Sequence, residues 1–139
     1  MKSQKGFSLI EIMVVVVILG ILASIVVPKI ISRPDEARAV KAKQDVLAIQ
    51  NALDLYKLDN GFYPSTDQGL LALVEKPSSN PTPRDWKQYL KSLPKDPWAR
   101  EYLYLNPGEH GEVDVFTLGA DGQPGGTGIN AEIGNWDAR

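Results

Sequence analysis

The chain of 139 residues contains no cysteine and only one histidine, His110. The absence of cysteine excludes disulfides, a thiolate nucleophile and zinc–cysteine or iron–sulfur sites, and one histidine leaves little for a zinc hydrolase. With a formal net charge of -2, the chain also lacks the basic surface that nucleic-acid binding requires. No catalytic triad is evident, and Asp96 reads as a turn residue rather than as half of a carboxylate pair with Asp121. The sequence therefore predicts a protein that is not an enzyme and has no nucleic-acid partner.

A long apolar run occupies residues 7–27, and its one charged residue is Glu11. A helix of this length measures about 31 Å, which is enough to cross the hydrocarbon core of a bilayer. A buried core helix would need a globule on all sides, and much of the remaining chain is too polar to supply one. A cleaved secretory signal is a second alternative, but the bulky Ile21 stands where its cleavage pattern needs a small residue. We interpret the run as a membrane span.

The residues that flank the run predict its orientation and a weak point. Lys2 and Lys5 precede it, so the positive-inside tendency places the N-terminus in the cytoplasm and the rest of the chain beyond the membrane, although basic residues also follow the run. Pro28 follows directly, and a proline removes a backbone hydrogen bond and clashes with the preceding turn. We therefore expect a kink or local melting over Ser24 to Pro28.

Glu11 requires a partner, because a carboxylate inside an apolar span is costly unless it is neutral, interfacial or paired. No basic side chain lies within one helical turn of it inside the span, so we expect the partner to come from another molecule or from an amine created by processing. The sequence from Lys5 to Glu11 resembles the class III signal of type IV pilins and pseudopilins. The resemblance implies that prepilin peptidase cuts between Gly6 and Phe7 and methylates Phe7. It also implies that Glu11 pairs with the N-terminal amine of a neighbouring subunit during assembly.

An amphipathic helix is predicted over residues 28–60, because apolar residues recur at three- and four-residue steps until Asn60-Gly61 ends the pattern. The predicted apolar face consists of Ala37, Val40, Val46, Ile49, Leu53 and Tyr56. Five acidic and four basic residues share this helix from Asp35 onward, and for any one of them we favour a solvated position over pairing between subunits.

Residues 61–139 read as a mixed region of short elements. The predicted elements are a helix over Asp67 to Glu75 capped by Thr66 or Ser65, a loop over Pro77 to Pro83, and strands over Glu101 to Leu105 and Glu112 to Leu118 joined by a hairpin at Pro107 to Gly111. The second strand should alternate Val113, Val115 and Thr117 on one face with Asp114 and Phe116 on the other. We expect Trp86, Trp98 and Tyr102 to pack against the amphipathic helix rather than to stack on a ligand.

A glycine-rich segment follows Leu118 and contains six glycines between Gly119 and Gly134. A long loop without secondary structure tends to be functional or disordered, and Trp136 after it argues against a free tail. Its side chains and carbonyls offer oxygen ligands, which suit calcium better than the rigid octahedron of magnesium. The spacing excludes an EF-hand, and no lysine or helix start is present for a phosphate loop. On the residues alone, a calcium site and a disordered tip remain equal alternatives.

Several later motifs resemble the major pseudopilins of type II secretion systems, the general secretion pathway protein G family of the pilin-like superfamily. They are Tyr63-Pro64-Ser65-Thr66 with Gln68-Gly69-Leu70, Leu93-Pro94-Lys95-Asp96-Pro97-Trp98, Pro107-Gly108-Glu109-His110-Gly111 and Thr117-Leu118-Gly119-Ala120-Asp121-Gly122. The resemblance implies one bound Ca2+ in the glycine-rich loop. Its implied ligands are the Asp121 side chain, the carbonyls of Leu118 and Gln123, and groups at Thr127 and Asn130, with Glu132 as the substitute carboxylate.

The resemblance also implies an architecture and a function. The fold would be α+β and pilin-like, with a cleaved leader at residues 1–6, a membrane and filament-core helix at 7–27, an amphipathic helix at 28–60, and a periplasmic region at 61–139 that carries a small antiparallel sheet and the calcium loop. The chain would be a single-pass inner-membrane protein that polymerises into a periplasmic pseudopilus and drives export of folded proteins across the outer membrane. Implied partners are further copies of the chain, minor pseudopilins, prepilin peptidase and the inner-membrane assembly platform. A type IV or competence pilin is the alternative, although such pilins usually close this region with a disulfide.

Overall fold

The computed structural model describes residues 5–138, and at 27–32 and 138 it describes the backbone alone. Met1, Lys2 and most of the predicted leader lie outside the described residues. The elements in chain order are helix α1 (Leu9–Asn60), a 3-10 helix (Leu70–Leu73), strands β1 (Leu103–Leu105) and β2 (Asp114–Thr117), a 3-10 helix (Gly128–Asn130), strand β3 (Ile133–Gly134) and a 3-10 helix (Asn135–Ala138). The chain divides into two compact units, residues 1–36 and residues 37–139, which are described separately.

The first unit contains the apolar half of α1. Residues Leu9–Val26 are long and apolar enough to cross a membrane, and none of these side chains is buried within the molecule. α1 continues as unbroken helix through Pro28 and Pro34, so the local melting predicted over Ser24 to Pro28 is absent from this structure. A proline removes only its own backbone hydrogen bond, and the helical residues on either side keep theirs. One helix therefore covers both predicted helical segments.

The second unit is built on one face of α1. The helix residues at most 4% exposed are Ala42, Val46, Ile49, Ala52, Leu53 and Tyr56. They pack with Leu70 and Leu73 of the first 3-10 helix and with Tyr102, Tyr104, Val113 and Val115. The prediction was wrong for Ala37 and Val40, which are exposed. At 100° per residue, Val40 lies about 120° around the helix from Val46, so it cannot share the face that the later residues define.

Three antiparallel strands form a sheet in the order β1-β2-β3. Leu103 pairs with Phe116 and Thr117 pairs with Ile133. Both predicted strands and the hairpin between them are confirmed, although the strands are shorter than predicted. β3 was not predicted, because a strand of two residues that ends in a glycine has no alternation to detect. The predicted architecture of a long helix and a small antiparallel sheet is confirmed.

The segment between helix and sheet differs from its prediction. A 3-10 helix of four residues replaces the helix predicted over Asp67 to Glu75. The backbone N–H of Ser65 donates to Gln68 Oε1 at 3.0 Å, and that of Gln68 donates to Ser65 Oγ at 3.2 Å. These reciprocal bonds form a capping box that holds the turn before the 3-10 helix. Ser65 therefore caps this turn, whereas the 3-10 helix itself has Gly69 at its N-cap and no side-chain cap.

The three aromatic residues assigned to the core divide between buried and half-buried positions. Tyr102 is buried in the core. Trp86 is half-buried against it and donates from Nε1 to the carbonyl of Ala72 at 2.8 Å. Trp98 is half-buried and lies outside the core cluster. The core prediction therefore holds for Tyr102 and, at the edge, for Trp86.

Asp96 organises the turn that precedes the sheet, as its predicted turn position requires. Its Oδ1 accepts hydrogen bonds from the backbone N–H groups of Trp98 at 2.9 Å and Arg100 at 2.8 Å. Its Oδ2 accepts from Thr117 Oγ1 at 2.5 Å, which ties the turn to the end of β2. Within this turn Ala99 has a φ of 65°, the left-handed region that costs a residue with a Cβ about 1–2 kcal/mol.

Asp114 is buried, although the predicted alternation places it on the strand face opposite to Val113, Val115 and Thr117. Its Oδ2 accepts from the backbone N–H groups of Glu109 at 2.7 Å and His110 at 3.0 Å, and the His110 Nδ1 lies 3.1 Å from the same oxygen. Burial by itself would raise the pKa of Asp114, but the bonds from His110 and Glu109 outweigh it and hold the pKa below its ordinary 3.8. The carboxylate faces the hairpin loop and accepts the hydrogen bonds that those N–H groups would otherwise donate to water.

Asp114→Asn should destabilise the globular unit at neutral pH by roughly 1–3 kcal/mol, because an amide cannot accept all the hydrogen bonds that converge on the carboxylate. A lowered pKa gives a contribution that is present above 3.8 and is lost as the pH falls through the lower folded value. The stability gap between wild type and variant should therefore narrow below pH 3.8. Urea unfolding followed by tryptophan fluorescence measures it, with the exposed Asp67→Asn as control. A gap of the same size at every pH would contradict this role.

Ala99→Gly should stabilise the protein by about 1 kcal/mol, because glycine adopts a φ of 65° without the steric cost that alanine meets. Ala131→Gly is the matched control, since Ala131 has an ordinary φ of -70° and glycine there should be neutral or destabilising. Thermal unfolding of both variants measures the difference. Equal destabilisation of both would contradict the left-handed conformation at Ala99.

Candidate functional site

The N-terminal end of α1 brings together the residues predicted for processing and assembly. Gly6 and Phe7 precede the helix, and Phe7 is 86% exposed. The backbone N–H of Ser8 donates to Glu11 Oε2 at 2.7 Å, and that of Glu11 donates to Ser8 Oγ at 3.3 Å. This is a capping box, and it gives the Glu11 carboxylate a partner inside its own chain. The sequence analysis missed that partner, although a serine three residues before a glutamate is its usual signal.

The two ends of the glycine-rich loop are fixed by the sheet. Thr117 ends β2 and pairs with Ile133 of β3, so the loop of residues 118–132 begins and ends at neighbouring positions of the sheet. After β3, the Asn135 side chain donates from Nδ2 to the carbonyl of Val113 at 2.8 Å and to Gln50 Oε1 of α1 at 2.7 Å. Trp136 stacks on His110 with ring centroids 3.8 Å apart. The prediction that the segment after the loop is not a free tail is confirmed.

The loop closes on itself around the backbone at Asn130. The N–H of Ala120 donates to the carbonyl of Ile129 at 2.9 Å. A Cβ at Gly119 would lie 2.9 Å from the Asn130 carbonyl oxygen, and a Cβ at Gly126 would lie 2.5 Å from the same oxygen. Both distances are shorter than van der Waals contact, so these two positions admit only glycine without a shift of the loop. The two arms of the loop therefore meet at a small, glycine-lined cradle of backbone carbonyls.

The predicted calcium ligands lie along these two arms. Leu118, Asp121 and Gln123 belong to the first arm, whereas Thr127 is the N-cap and Asn130 the last residue of the 3-10 helix in the second. Asp121 Oδ1 accepts from the N–H of Gln123 at 3.1 Å, which holds the carboxylate against its own turn. The loop closure brings the two arms together.

The donor chemistry of the loop fits a hard cation. Calcium accepts six to eight oxygen ligands, backbone carbonyls included, and both the backbone carbonyls of the loop and the Asp121 carboxylate are donors of this kind. Glu132 also turns toward the loop, since its Oε1 accepts from the N–H of Gly125 at 3.0 Å. Within residues 5–138, no three acidic or histidine side chains gather closely enough to hold a metal by themselves. A cation here would therefore depend on backbone oxygens for most of its coordination.

Arg100 is a residue of the loop's surroundings that the sequence analysis did not single out. Its Nη2 donates to the carbonyl of Gly119, and its Nε lies 3.7 Å from Asp96 Oδ2. The guanidinium thus connects the buried turn residue to the first arm of the loop. Spacing in the sequence gives no signal for it, because 19 positions separate Arg100 from Gly119.

Comparisons with known proteins cover almost the whole chain. The family model described as type II secretion system protein G matches residues 29–136, and that of the prokaryotic N-terminal methylation motif matches residues 1–27. The type II secretion system core protein G of Vibrio cholerae is 60% identical over 99% of this chain and 94% of its own length. The protein of the same name from Pseudomonas aeruginosa is also 60% identical, over 98% of this chain and 97% of its own.

A solved structure agrees with the fold described above. The crystal structure of the major pseudopilin from the type 2 secretion system of enterohaemorrhagic Escherichia coli matches with a TM-score of 0.70 and 43% identity, over 78% of this chain and 90% of that one. The residues that the methylation-motif model matches include the apolar segment Leu9–Val26, and the protein G model matches the remainder of the helix and the sheet unit. These matches show that the chain belongs to the type II secretion system protein G family.

Proposed function

We propose that this chain is a structural subunit that polymerises into the periplasmic pseudopilus of a type II secretion system and so drives export of folded proteins across the outer membrane. The observation that carries the proposal is the joining of two parts in one chain. An apolar helical segment with every side chain exposed, Leu9–Val26, lies within the match to the N-terminal methylation motif, and the globular unit matches the protein G family model. The absence of cysteine disfavours the alternative of a type IV or competence pilin.

The exposed apolar segment needs an apolar environment in every state of the protein. As a precursor or stored subunit, the segment Leu9–Val26 would span the inner membrane, with the N-terminus in the cytoplasm and residues 37–139 in the periplasm. In the filament, side chains of neighbouring copies would replace the lipid, and the gain is in van der Waals packing. A chain with this segment is therefore suited to move between a bilayer and a polymer of its own kind.

Processing would create the charge that assembly needs. Cleavage by prepilin peptidase between Gly6 and Phe7 leaves a methylated amine at Phe7, which still carries a positive charge. Glu11 lies four residues further along, with its carboxylate at the same end of the helix. We propose that the amine of a neighbouring copy competes with the Ser8 N–H for this carboxylate, because a charged donor forms the stronger hydrogen bond. Glu11 would then set the register between subunits.

The remaining partners follow from this function. Prepilin peptidase would act on the leader, the inner-membrane assembly platform would receive the mature subunit, and minor pseudopilins would share the filament. None of these steps requires the chain to carry out chemistry itself, which agrees with its membership of a structural family.

We also propose that the glycine-rich loop binds one Ca2+. Asp121 would supply the carboxylate, Leu118 and Gln123 their carbonyls, and Thr127 and Asn130 further oxygens, with Glu132 as a substitute carboxylate. What supports this is the carbonyl cradle at Asn130 and the local charge, since residues 109–139 carry six acidic side chains and one basic side chain. Bound calcium would screen these charges and fix the two arms of the loop against each other.

Glu11→Ala should leave processing intact but abolish filament assembly, because it removes the carboxylate that pairs with the Phe7 amine. The measurements are the mass of the mature protein, which should correspond to a methylated chain beginning at Phe7, and the yield of sheared pseudopili. Gly6→Ala is the matched control, since it should block cleavage and leave a full-length precursor. Normal pseudopili from Glu11→Ala would refute the pairing, and efficient cleavage of Gly6→Ala would refute the processing site.

Asp121→Ala should remove the thermal stabilisation that calcium gives to the wild-type protein. At a calcium concentration about 100 times the dissociation constant, a bound ion stabilises the folded state by about 2.7 kcal/mol. The full-length chain in detergent micelles serves, because Trp86, Trp98 and Trp136 all lie in residues 37–139 and report on that unit alone. Asp67→Ala, at an exposed aspartate outside the loop, should respond to calcium like the wild type. An unchanged calcium response in Asp121→Ala would refute the site.

A further inference from the structure

Arg100 places a fixed positive charge inside the turn of the glycine-rich loop. Its Nη2 donates to the carbonyl of Gly119, between the proposed ligands Leu118 and Asp121. A Cβ at Gly122 would overlap Nη1 and lie 3.0 Å from Cζ, so the guanidinium rests directly on the Gly122 backbone. The turn 119–122 therefore fits around this side chain, and glycine at position 122 leaves the space for it.

The buried carboxylate of Asp96 fixes the position of the guanidinium. The Asp96 side chain is 1% exposed, and Arg100 Nε lies 3.7 Å from its Oδ2. Asp96 Oδ1 also accepts from the Arg100 backbone N–H at 2.8 Å, so the residue is held at its backbone as well as at its side chain. Asp96 in turn accepts from Thr117 at the end of β2. Arg100 thus links a rigid part of the sheet to a loop that has few other contacts.

The charge of Arg100 bears directly on any cation that the loop binds. The guanidinium of Arg100 carries a positive charge. It already uses the Gly119 carbonyl, and it lies on the same arm of the loop as Asp121. A divalent ion bound to that arm would be repelled by it, while the arm itself would already be held in place without the ion.

We propose that the positively charged Arg100 side chain supports the glycine-rich loop when no metal is bound. We also propose that its charge weakens the affinity of the loop for calcium. This inference rests on the calcium site proposed above. It means that the loop of this chain keeps its shape at calcium concentrations that leave the site empty. It also means that residue 100 sets the calcium concentration to which the subunit responds.

The test is Arg100→Gln in the full-length chain in detergent micelles, with calcium affinity and thermal midpoint both followed by tryptophan fluorescence. Removing one positive charge beside a divalent ion at an exposed site should tighten calcium binding roughly fivefold to tenfold. In chelator, the thermal unfolding midpoint of the variant should lie about 2–4 °C below that of the wild type, because the loop loses the hydrogen bond from Arg100 to the Gly119 carbonyl. Arg84→Gln, at an exposed arginine outside the loop, should change neither quantity.

Arg100→Lys separates charge from shape, because lysine keeps the charge and loses the planar guanidinium. It should keep the weak calcium affinity of the wild type and lose part of the stability in chelator. Calcium binding by Arg100→Gln that is equal to or weaker than that of the wild type would overturn the inference, whatever its midpoint in chelator. If neither wild type nor Arg100→Gln binds calcium at millimolar concentration, the calcium site itself is refuted, which is a separate result from equal binding by both.

Discussion

The packing of one face of α1 against the inner face of the sheet is the contact on which the rest of the globular unit depends. The three strands have three, four and two residues, and a sheet of that size has no stability of its own in water. The helix residues Ile49, Leu53 and Tyr56 are fully buried against it and supply the area that the strands lack. The helix is therefore the structural centre of this unit and not an attached stalk, and every loop takes its position from elements that α1 holds.

Two buried carboxylates fix the positions of loops next to the core by accepting hydrogen bonds from them. Asp114 binds the N–H groups of the hairpin loop, and Asp96 binds those of the turn before β1 and the hydroxyl of Thr117. Each replaces the solvent around polar groups that would otherwise be unsatisfied. Through Arg100, the second carboxylate also reaches the glycine-rich loop, so the proposed calcium site and the sheet share one set of contacts.

The long helix and the hairpin could be predicted because hydrophobic periodicity and glycine or proline punctuation are local signals, whereas the fold class was implied by the resemblance of several motifs to a known family. The periodicity placed Val40 on the core face, which was wrong, and it gave no indication that Asp114 is buried. A binary pattern cannot tell that a carboxylate within a strand will turn to bind the loop beside it. Arg100 was missed for a related reason, since its contact with Gly119 depends on how the turn and the loop meet in space. The motif at the N-terminus could be recognised from the sequence because its residues are consecutive.

No disulfide holds the loops of this unit, since the chain has no cysteine, and hydrogen bonds, charged groups and packing position them instead. Their anchors therefore respond to protonation and ionic strength and are indifferent to redox conditions. The unit needs no oxidant and no disulfide isomerase to reach its final structure. A subunit of this kind can be recycled between storage and use without any covalent bond within its globular unit being made or broken.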